Sequence, residues 1–296
     1  FYSKNSGNLT KNGQKTRAFI KIQDGCDRFC NYCIIPYLRG RCKSEPIENI
    51  IEECRNCKSK EIVLTGIDIS EYGKDIGSSL KDLLQSLSEF TGLRKRLGSL
   101  ECEVIDRDLL QIMKDGNYCP HFHLSLQSGS DEVLRTMNRR YTTQFYIDRV
   151  SLIREFFPLA AITTDVIAGY PTETDEYFSS SLDFIKSCEF ADIHVFPYSS
   201  RTGTLASKKY RMLDPNTVSE RVRRLSEIKQ SAKSAFAVKN IGTVSEVYTE
   251  EPSGKYNVGY TPNYLKVYSS SPCGQIKSML LTKPYLDGVI GVEDNK

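Results

Sequence analysis

The sequence predicts an α/β barrel, or most of one, over residues 17–239, followed by a small all-β domain over 240–296. Three observations predict it. Six short β-rich runs alternate with amphipathic stretches in units of about 25 to 40 residues, the pattern of a parallel sheet with helices outside. The residues of unusual chemistry all fall at the C-terminal ends of those runs, the end at which such barrels carry their sites. After Gly242 the helical periodicity stops, and short strands separated by Gly, Pro, Asn and Ser take over.

Taken in order, residues 1–16 (Gly, Asn, Ser and three lysines) read as a linker. Strands are expected at 18–23, 61–65, 97–104, 121–127, 161–168 and 191–198. Helices are expected near 45–57, 79–90, 106–115, 142–157, 173–187 and 215–238. Thr142 or Thr143 can cap a helix whose apolar face is Tyr146, Val150, Ile153 and Phe157. Asp214-Pro215 is a cap followed by proline at the first helical position, and the helix it opens is expected to bury Val218, Val222, Leu225, Ala232 and Phe236.

Composition narrows the class. With 39% hydrophobic and 26% charged residues the chain is globular rather than disordered. No apolar run approaches the ~18 residues of a membrane helix, and the mean hydropathy is −0.40. The net charge of +3 is too small to announce a nucleic-acid binder. The chain begins at Phe1 without a signal pattern, which reads as a fragment of a longer protein. Ten cysteines without a secretory signal point to a reducing, cytoplasmic setting and a metal site.

Three of the ten, Cys26, Cys30 and Cys33, stand in CDRFCNYC directly after the first strand. Three thiolates at this spacing can reach one soft metal centre. Zinc would require a fourth protein ligand, and the next histidine, His121, is far away. An iron–sulfur cluster tolerates a small molecule on its fourth iron. Three inert buried cysteines are the bland alternative.

CDRFCNYC resembles the C-x3-C-x2-C signature of the radical SAM enzymes, with an aromatic, Tyr32, before the last cysteine. More widely, GCDRFCNYCIIPYLRG (25–40), EIVLTGIDISEYG (61–73), HFHLSLQSGSDEVLRTMNRRYT (121–142), TTDVIAGYPTETDE (163–176) and HVFPYSSRTGTLA (194–206) resemble the tRNA methylthiotransferases. NVGYTPNYLKVY (257–268) resembles the TRAM domain, a small RNA-binding β-barrel. LTGID and HVFPYSSRTGT are most similar to the branch that methylthiolates N6-threonylcarbamoyladenosine 37 of tRNA. Sister branches act on isopentenyladenosine 37 or on a ribosomal-protein aspartate. A non-catalytic RNA-binding module with a structural metal is the alternative from another class.

The resemblance implies a partial (β/α)6 radical SAM barrel with Cys26, Cys30 and Cys33 on three irons of a 4Fe-4S cluster. S-adenosylmethionine would chelate the fourth iron, beside Tyr32. Gly66 would receive its methionyl amino group. Glu101, Gln127 and Ser128 would face the ribose and methionyl part, and Asp165, Gly169 and the backbone near Phe196 would line the adenosine. A reduced cluster cleaves this cofactor to a 5′-deoxyadenosyl radical, so the protein binds, orients and excludes water. No acid–base pair is needed. The implied partners are a tRNA anticodon loop and a low-potential donor such as a flavodoxin or ferredoxin, with no membrane. Family members also carry an N-terminal domain with three further cysteines and a second cluster, which is not in this sequence. This chain alone is expected to cleave the cofactor without completing sulfur insertion.

One departure stands out. Thr172 occupies a turn position where the family usually has glycine, which predicts backbone strain. Elsewhere the bland readings lead. Cys54 and Cys57 read as helix-face residues, and Cys42, Cys102, Cys119, Cys188 and Cys273 as small buried hydrophobes. His121, His123 and His194 read as packing at the barrel mouth. The basic residues of the last helix (Arg221, Arg223, Arg224, Lys229, Lys233, Lys239) and the group Arg135, Arg139 and Arg140 are candidate RNA contacts. So are the tyrosines of the β domain: Tyr248, Tyr256, Tyr260, Tyr264, Tyr268 and Tyr285.

Overall fold

A computed structural model describes residues 16–294, so the expected linker lies outside the described residues except for Thr16. The chain enters on β1 (Arg17–Lys21) and makes the short strand β2 (Gln23–Asp24). It then passes through the cysteine loop into α1 (Ile35–Arg39) and returns as β3 (Lys43–Ser44), antiparallel to β2. There follow α2 (Ile47–Arg55), β4 (Glu61–Thr65), α3 (Leu80–Ser86), β5 (Arg94–Leu97), β6 (Ser99–Leu100), α4 (Arg107–Asp115) and β7 (His121–Leu124). Next come α5 (Asp131–Thr136), α6 (Thr143–Phe156), β8 (Ala161–Ala168), α7 (Asp175–Ser187), β9 (Asp192–Pro197), α8 (Leu205–Lys209) and α9 (Pro215–Lys239).

The sheet order is β1-β4-β5 and β6-β7-β8-β9, with every pair parallel. Gly98 alone separates β5 from β6, so these are two halves of one strand bent at a glycine. The sheets thus continue one another as an open barrel with β1 and β9 at its edges. Side chains alternate across the strands. Ile62, Leu64, Phe122 and Leu124 face the helices and are buried, whereas Glu61, Val63, His121, His123 and Thr163 face the lumen. The helix caps follow the sequence. Thr142 accepts from Phe145 N at the start of α6, and Asp214 accepts from Asn216 N and Thr217 N at the start of α9.

Two expectations are corrected. The third strand was placed at 97–104, but strand structure lies at 94–97 and 99–100 and gives way to a 3-10 turn at 102–104. Arg94, Lys95 and Arg96 hide it, because three cations in a row read as surface and here are buried. Lys95 Nζ donates to Leu87 O and Phe90 O at 3.2 and 3.0 Å, and Arg94 and Arg96 flank Glu61. The short helices α1, α5 and α8 also carry too few residues for a periodic signal. On α9, Arg221, Leu225 and Ala237 are the buried residues, while Val218 and Ala232 stay half-buried. The helix spans β8 and β9 at one end and the C-terminal strands Ile276–Tyr285 and Gly288–Glu293 at the other, so its contact face changes along its length.

The C-terminal region is a closed five-stranded barrel in the order β10 (Val244–Ser253), β11 (Tyr256–Tyr260), β12 (Lys266–Ser269), β14 (Gly288–Glu293), β13 (Ile276–Tyr285). Val247, Val267, Met279, Leu281 and Val289 fill it. It seats under the N-terminal ends of the large barrel's strands. Arg17 bridges Glu61 and Glu250, Arg96 donates to Pro262 O at 2.9 Å, and Asn263 Nδ2 donates to Leu159 O at 2.7 Å. That leaves the C-terminal strand ends as the open mouth.

Candidate active site

The loop from Gly25 to Ile34 carries Cys26, Cys30 and Cys33, all free and all half-buried. Its shape is set by its anchors. Gly25 has φ +74°, and a Cβ there would lie 2.0 Å from Arg41 O, so only glycine fits. Cys26 N donates to Gly40 O and Asn31 N to Met137 O, while Ala206 N donates to Asn31 O. Asn31 Nδ2 reaches Thr136 O at 2.8 Å, and Asn138 Nδ2 reaches Phe29 O at 3.1 Å. The loop is thus tied to the ends of α1, α5 and α8 before any ligand arrives.

Buried Gln23 joins this loop to the one after β4. Its Nε2 donates to Asp24 O and Gly25 O at 2.8 and 2.9 Å, and its Oε1 accepts from Ile67 N and Asp68 N at 3.1 and 2.8 Å. Gly66 sits against the same residue. A Cβ at Gly66 would come within 2.8 Å of Gln23 O and of Ile69 Cγ2, which keeps the backbone beside the cysteine loop bare.

Two buried arginines lie in this region. Arg28 meets Asp68 at 2.6 Å and Glu103 at 2.8 Å, with Glu71 at 3.4 Å and Glu101 at 3.8 Å. Burial opposes its charge, but Glu101, Asp68 and Glu103 together hold the guanidinium above its ordinary value. Arg139 pairs with Glu101, donates to Ser125 O at 3.1 Å and places Nη1 3.5 Å from Cys30 Sγ. Burial pushes the Glu101 carboxyl up against the pull of Arg139 and Arg28. Arg139 is therefore part of the site, not of an RNA-facing basic group. Sequence reasoning missed Gln23, Arg28, Asp68 and this role of Arg139. The only signal was their position at strand ends or in the quoted motifs.

The remaining sequence-predicted residues sort into three places. Glu101 and Gly66 adjoin the cysteine loop, as described. Gln127 takes φ +67°, its N donates to Asp165 O at 2.8 Å, and its O accepts from Ile167 N at 2.9 Å, so it continues β7 alongside β8. Ser128 is buried, and its Oγ accepts from Ser130 N at 3.3 Å. Phe196 lies opposite Ile167 on β9 with its ring about half exposed. Gly169 N donates to the buried Glu173 at 2.8 Å. Tyr32 packs edge-on to Tyr170 within a cluster that includes Val133, Met137 and Tyr198, so its ring supports the loop. Asp165 points down the lumen toward His123 Nε2 at 3.3 Å and His194 Nδ1 at 3.9 Å.

Several expectations change. The histidines read as packing at the mouth, but His121 and His123 lie on β7 facing the lumen, where both line the cavity shared with the C-terminal barrel. On α9, Arg221 is buried against Glu173 and Asp175, Arg223 pairs with Glu220 and Glu227, and Lys229 and Lys233 face Asp192. That helix is a structural strut more than a basic face. Among the tyrosines, Tyr248 and Tyr268 are buried, Tyr256 and Tyr285 pack edge-to-face, and Tyr260 stacks on Tyr264. Thr172 does not take a positive φ. Its hydroxyl bonds that of Thr136 at 2.6 Å, so no strain arises there. Cys54, Cys102, Cys119 and Cys188 are buried as expected, whereas Cys42, Cys57 and Cys273 are only half-buried.

The donor set fits a cluster. Its three thiols stand free on one short loop, and among the described residues no three His, Cys, Asp or Glu side chains converge on one point. A 4Fe-4S cluster instead takes each thiolate on a different iron. Burial pushes the Cys26 thiol up to about 12 and raises that of Cys33.

Comparison with known proteins agrees with this geometry. The family model of the Radical SAM superfamily matches residues 20–185. The chain is 36% identical over 292 residues to the threonylcarbamoyladenosine tRNA methylthiotransferase MtaB of Bacillus subtilis, covering 93% of this chain and 65% of the relative. It is 42% identical over 231 residues to the protein of the same name from Aquifex aeolicus, covering 76% and 56%. It is 38% identical over 241 residues to the tRNA-2-methylthio-N(6)-dimethylallyladenosine synthase of Acetivibrio thermocellus, covering 79% and 50%. This chain thus spans between half and two thirds of the length of these curated relatives. The fold is also that of the radical S-adenosylmethionine methyltransferase TsrM from Kitasatospora setae, with TM-score 0.54 and 15% identity over 64% of this chain and 38% of that one. With its family model matched over more than half of its length and its three-thiol loop fixed at the mouth of a parallel α/β barrel, this chain belongs to the radical SAM superfamily.

Proposed function

We propose that the chain is the radical SAM core and TRAM-type barrel of an enzyme that adds a methylthio group to N6-threonylcarbamoyladenosine 37 in the anticodon loop of tRNA. The single observation that carries this reading is the similarity to proteins named for that reaction, which spans 93% of the chain and includes the cysteine loop. Cys26, Cys30 and Cys33 would hold a 4Fe-4S cluster with S-adenosylmethionine beside it, and this group, reduced by a flavodoxin- or ferredoxin-like donor, would supply radical chemistry.

The chain's own residues then bind and orient. Arg139, a buried cation beside Cys30, would face the cofactor's carboxylate. Bare Gly66 would admit its amino group. Gln127 and Asp165, locked to each other through the backbone, would receive the ribose and adenosine. His123 bonds Thr163 Oγ1 at 2.9 Å and orients Asp165 from below. A loop nucleotide suits such a mouth because its base unstacks at low cost. Sulfur delivery and a second cluster belong to a further domain, as in the family. The setting is cytoplasmic, and among the described residues no helix is long and apolar enough to cross a membrane.

The test is nucleoside analysis of bulk tRNA by mass spectrometry before and after deletion of the gene encoding this chain. The 2-methylthio form of threonylcarbamoyladenosine is expected to vanish while that of isopentenyladenosine persists. The opposite pattern would move the assignment to the sister reaction.

A further inference from the structure

Below Asp165 the lumen does not fill with apolar side chains. A cavity of about 400 Å³ remains between the strands' N-terminal halves and the C-terminal barrel. The chain holds three histidines, and all three line it. His121 stacks on Tyr264 with ring centroids 4.8 Å apart, His123 and His194 meet edge-on at 5.4 Å, Phe19, Val63, Leu97 and Phe236 supply apolar walls, and Asp192 and Asp287 are the acids on the lining.

The walls hold more hydrogen-bonding capacity than they use. His121 Nδ1 is buried with no partner. His194 is 52% exposed inside the barrel, and its nearest acid, Asp165, stands 3.9 Å away, beyond hydrogen-bond reach. Lys233 lies 3.5 Å from Asp192 and is about one third exposed. Arg17 and Arg96, on the same wall, are occupied by Glu61 and Glu250 and give the floor a fixed shape. Burial, with Arg96 adding to it, holds His121 well below its ordinary value, so its ring is neutral with one donor and one acceptor nitrogen. A hydrocarbon in this space would leave those groups stranded and desolvated, whereas a group bearing carbonyl, hydroxyl and carboxylate oxygens would meet them. A site with polar partners of this kind rejects an apolar analogue strongly.

We propose that this lumen receives the N6 substituent of the target adenosine, and that His121, His194 and Lys233 select a polar, carboxylate-bearing substituent over a prenyl one. The inference rests on the reading of the substrate as a modified tRNA adenosine. His123 supports it indirectly, by holding Asp165 and Thr163 in place.

Because every histidine of the chain lies in this cavity, imidazole NMR signals report on it alone. The chain, labelled on histidine, is titrated with anticodon stem-loop RNAs carrying threonylcarbamoyladenosine, isopentenyladenosine or plain adenosine, and binding is followed in parallel by fluorescence anisotropy. The expected result is that the threonylcarbamoyl RNA shifts the His121 and His194 signals and binds more tightly than the other two, and that His194→Leu weakens that RNA alone by about tenfold. If all three RNAs bind alike and the imidazole signals do not distinguish them, the inference falls while the RNA reading stands. If the isopentenyl RNA is preferred, both the inference and the threonylcarbamoyl assignment fall. If no RNA binds, the RNA reading falls and takes the inference with it.

Discussion

Arg139 shows how little of a buried site a charge count reveals. In the sequence it is one of two adjacent arginines. In the fold its side chain is almost fully buried, between Glu101 and the Cys30 sulfur. Removing one member of a buried ion pair strands the other, so Arg139→Gln is expected to cost about 3 kcal/mol in chemical denaturation. The double variant Glu101→Gln with Arg139→Gln is expected to recover a large part of that. Additive losses would show the two side chains to be uncoupled. Gly25 makes a parallel case on the backbone. With φ +74° and Arg41 O only 2.0 Å from a Cβ, Gly25→Ala is expected to destabilise by about 2 kcal/mol or more and to lower iron uptake. A variant with wild-type stability and full iron would refute this account of the loop. The three cysteines were legible because their spacing is local. Gln23, Arg28 and Asp68 were not, because each acts across 40 or more residues of sequence.

Among the elements, those with a full apolar period and a capping residue were legible, α6 and α9 most clearly. β5 was not, since Arg94, Lys95 and Arg96 are buried only through partners elsewhere in the fold: Glu61, the carbonyls at the end of α3, and the C-terminal barrel. The turn from β8 into α7 teaches the same lesson in reverse. The resemblance implies a glycine at the position of Thr172 and hence strain, yet the threonine hydroxyl is bonded to Thr136. Thr172→Gly is therefore expected to lower stability by about 1 kcal/mol, from added unfolded-state freedom and a lost hydrogen bond. A stabilised variant in thermal melts would restore the strain reading.

At the scale of the whole molecule, the two barrels are held together by Arg17 between Glu61 and Glu250. Burial outweighs Arg17 and, with Glu61 adding to it, pushes the Glu250 carboxyl up to about 7 from its ordinary value of 4.5. The folded state then binds this proton more tightly than the unfolded state. The contribution is present in full below about 4.5 and is lost as pH rises through about 7, an effect on the order of 3 kcal/mol. Glu250→Gln is expected to flatten the fall in stability between about pH 4 and about pH 8, measured as denaturation midpoints; an unchanged slope would remove Glu250 as its source. The parallel α/β class was readable from alternation, and the run of strands at the C-terminal end from the change in pattern after Gly242. The docking of the second barrel under the first was not, because no local pattern encodes it. The central claim is that the larger of these barrels is a radical SAM core. Its most direct test is anaerobic reconstitution with iron and sulfide, followed by iron analysis and dithionite-driven 5′-deoxyadenosine formation, beside a Cys30→Ala variant. The account predicts about four irons per chain and deoxyadenosine that disappears in the variant. A colourless chain that takes up zinc and leaves S-adenosylmethionine intact would contradict it.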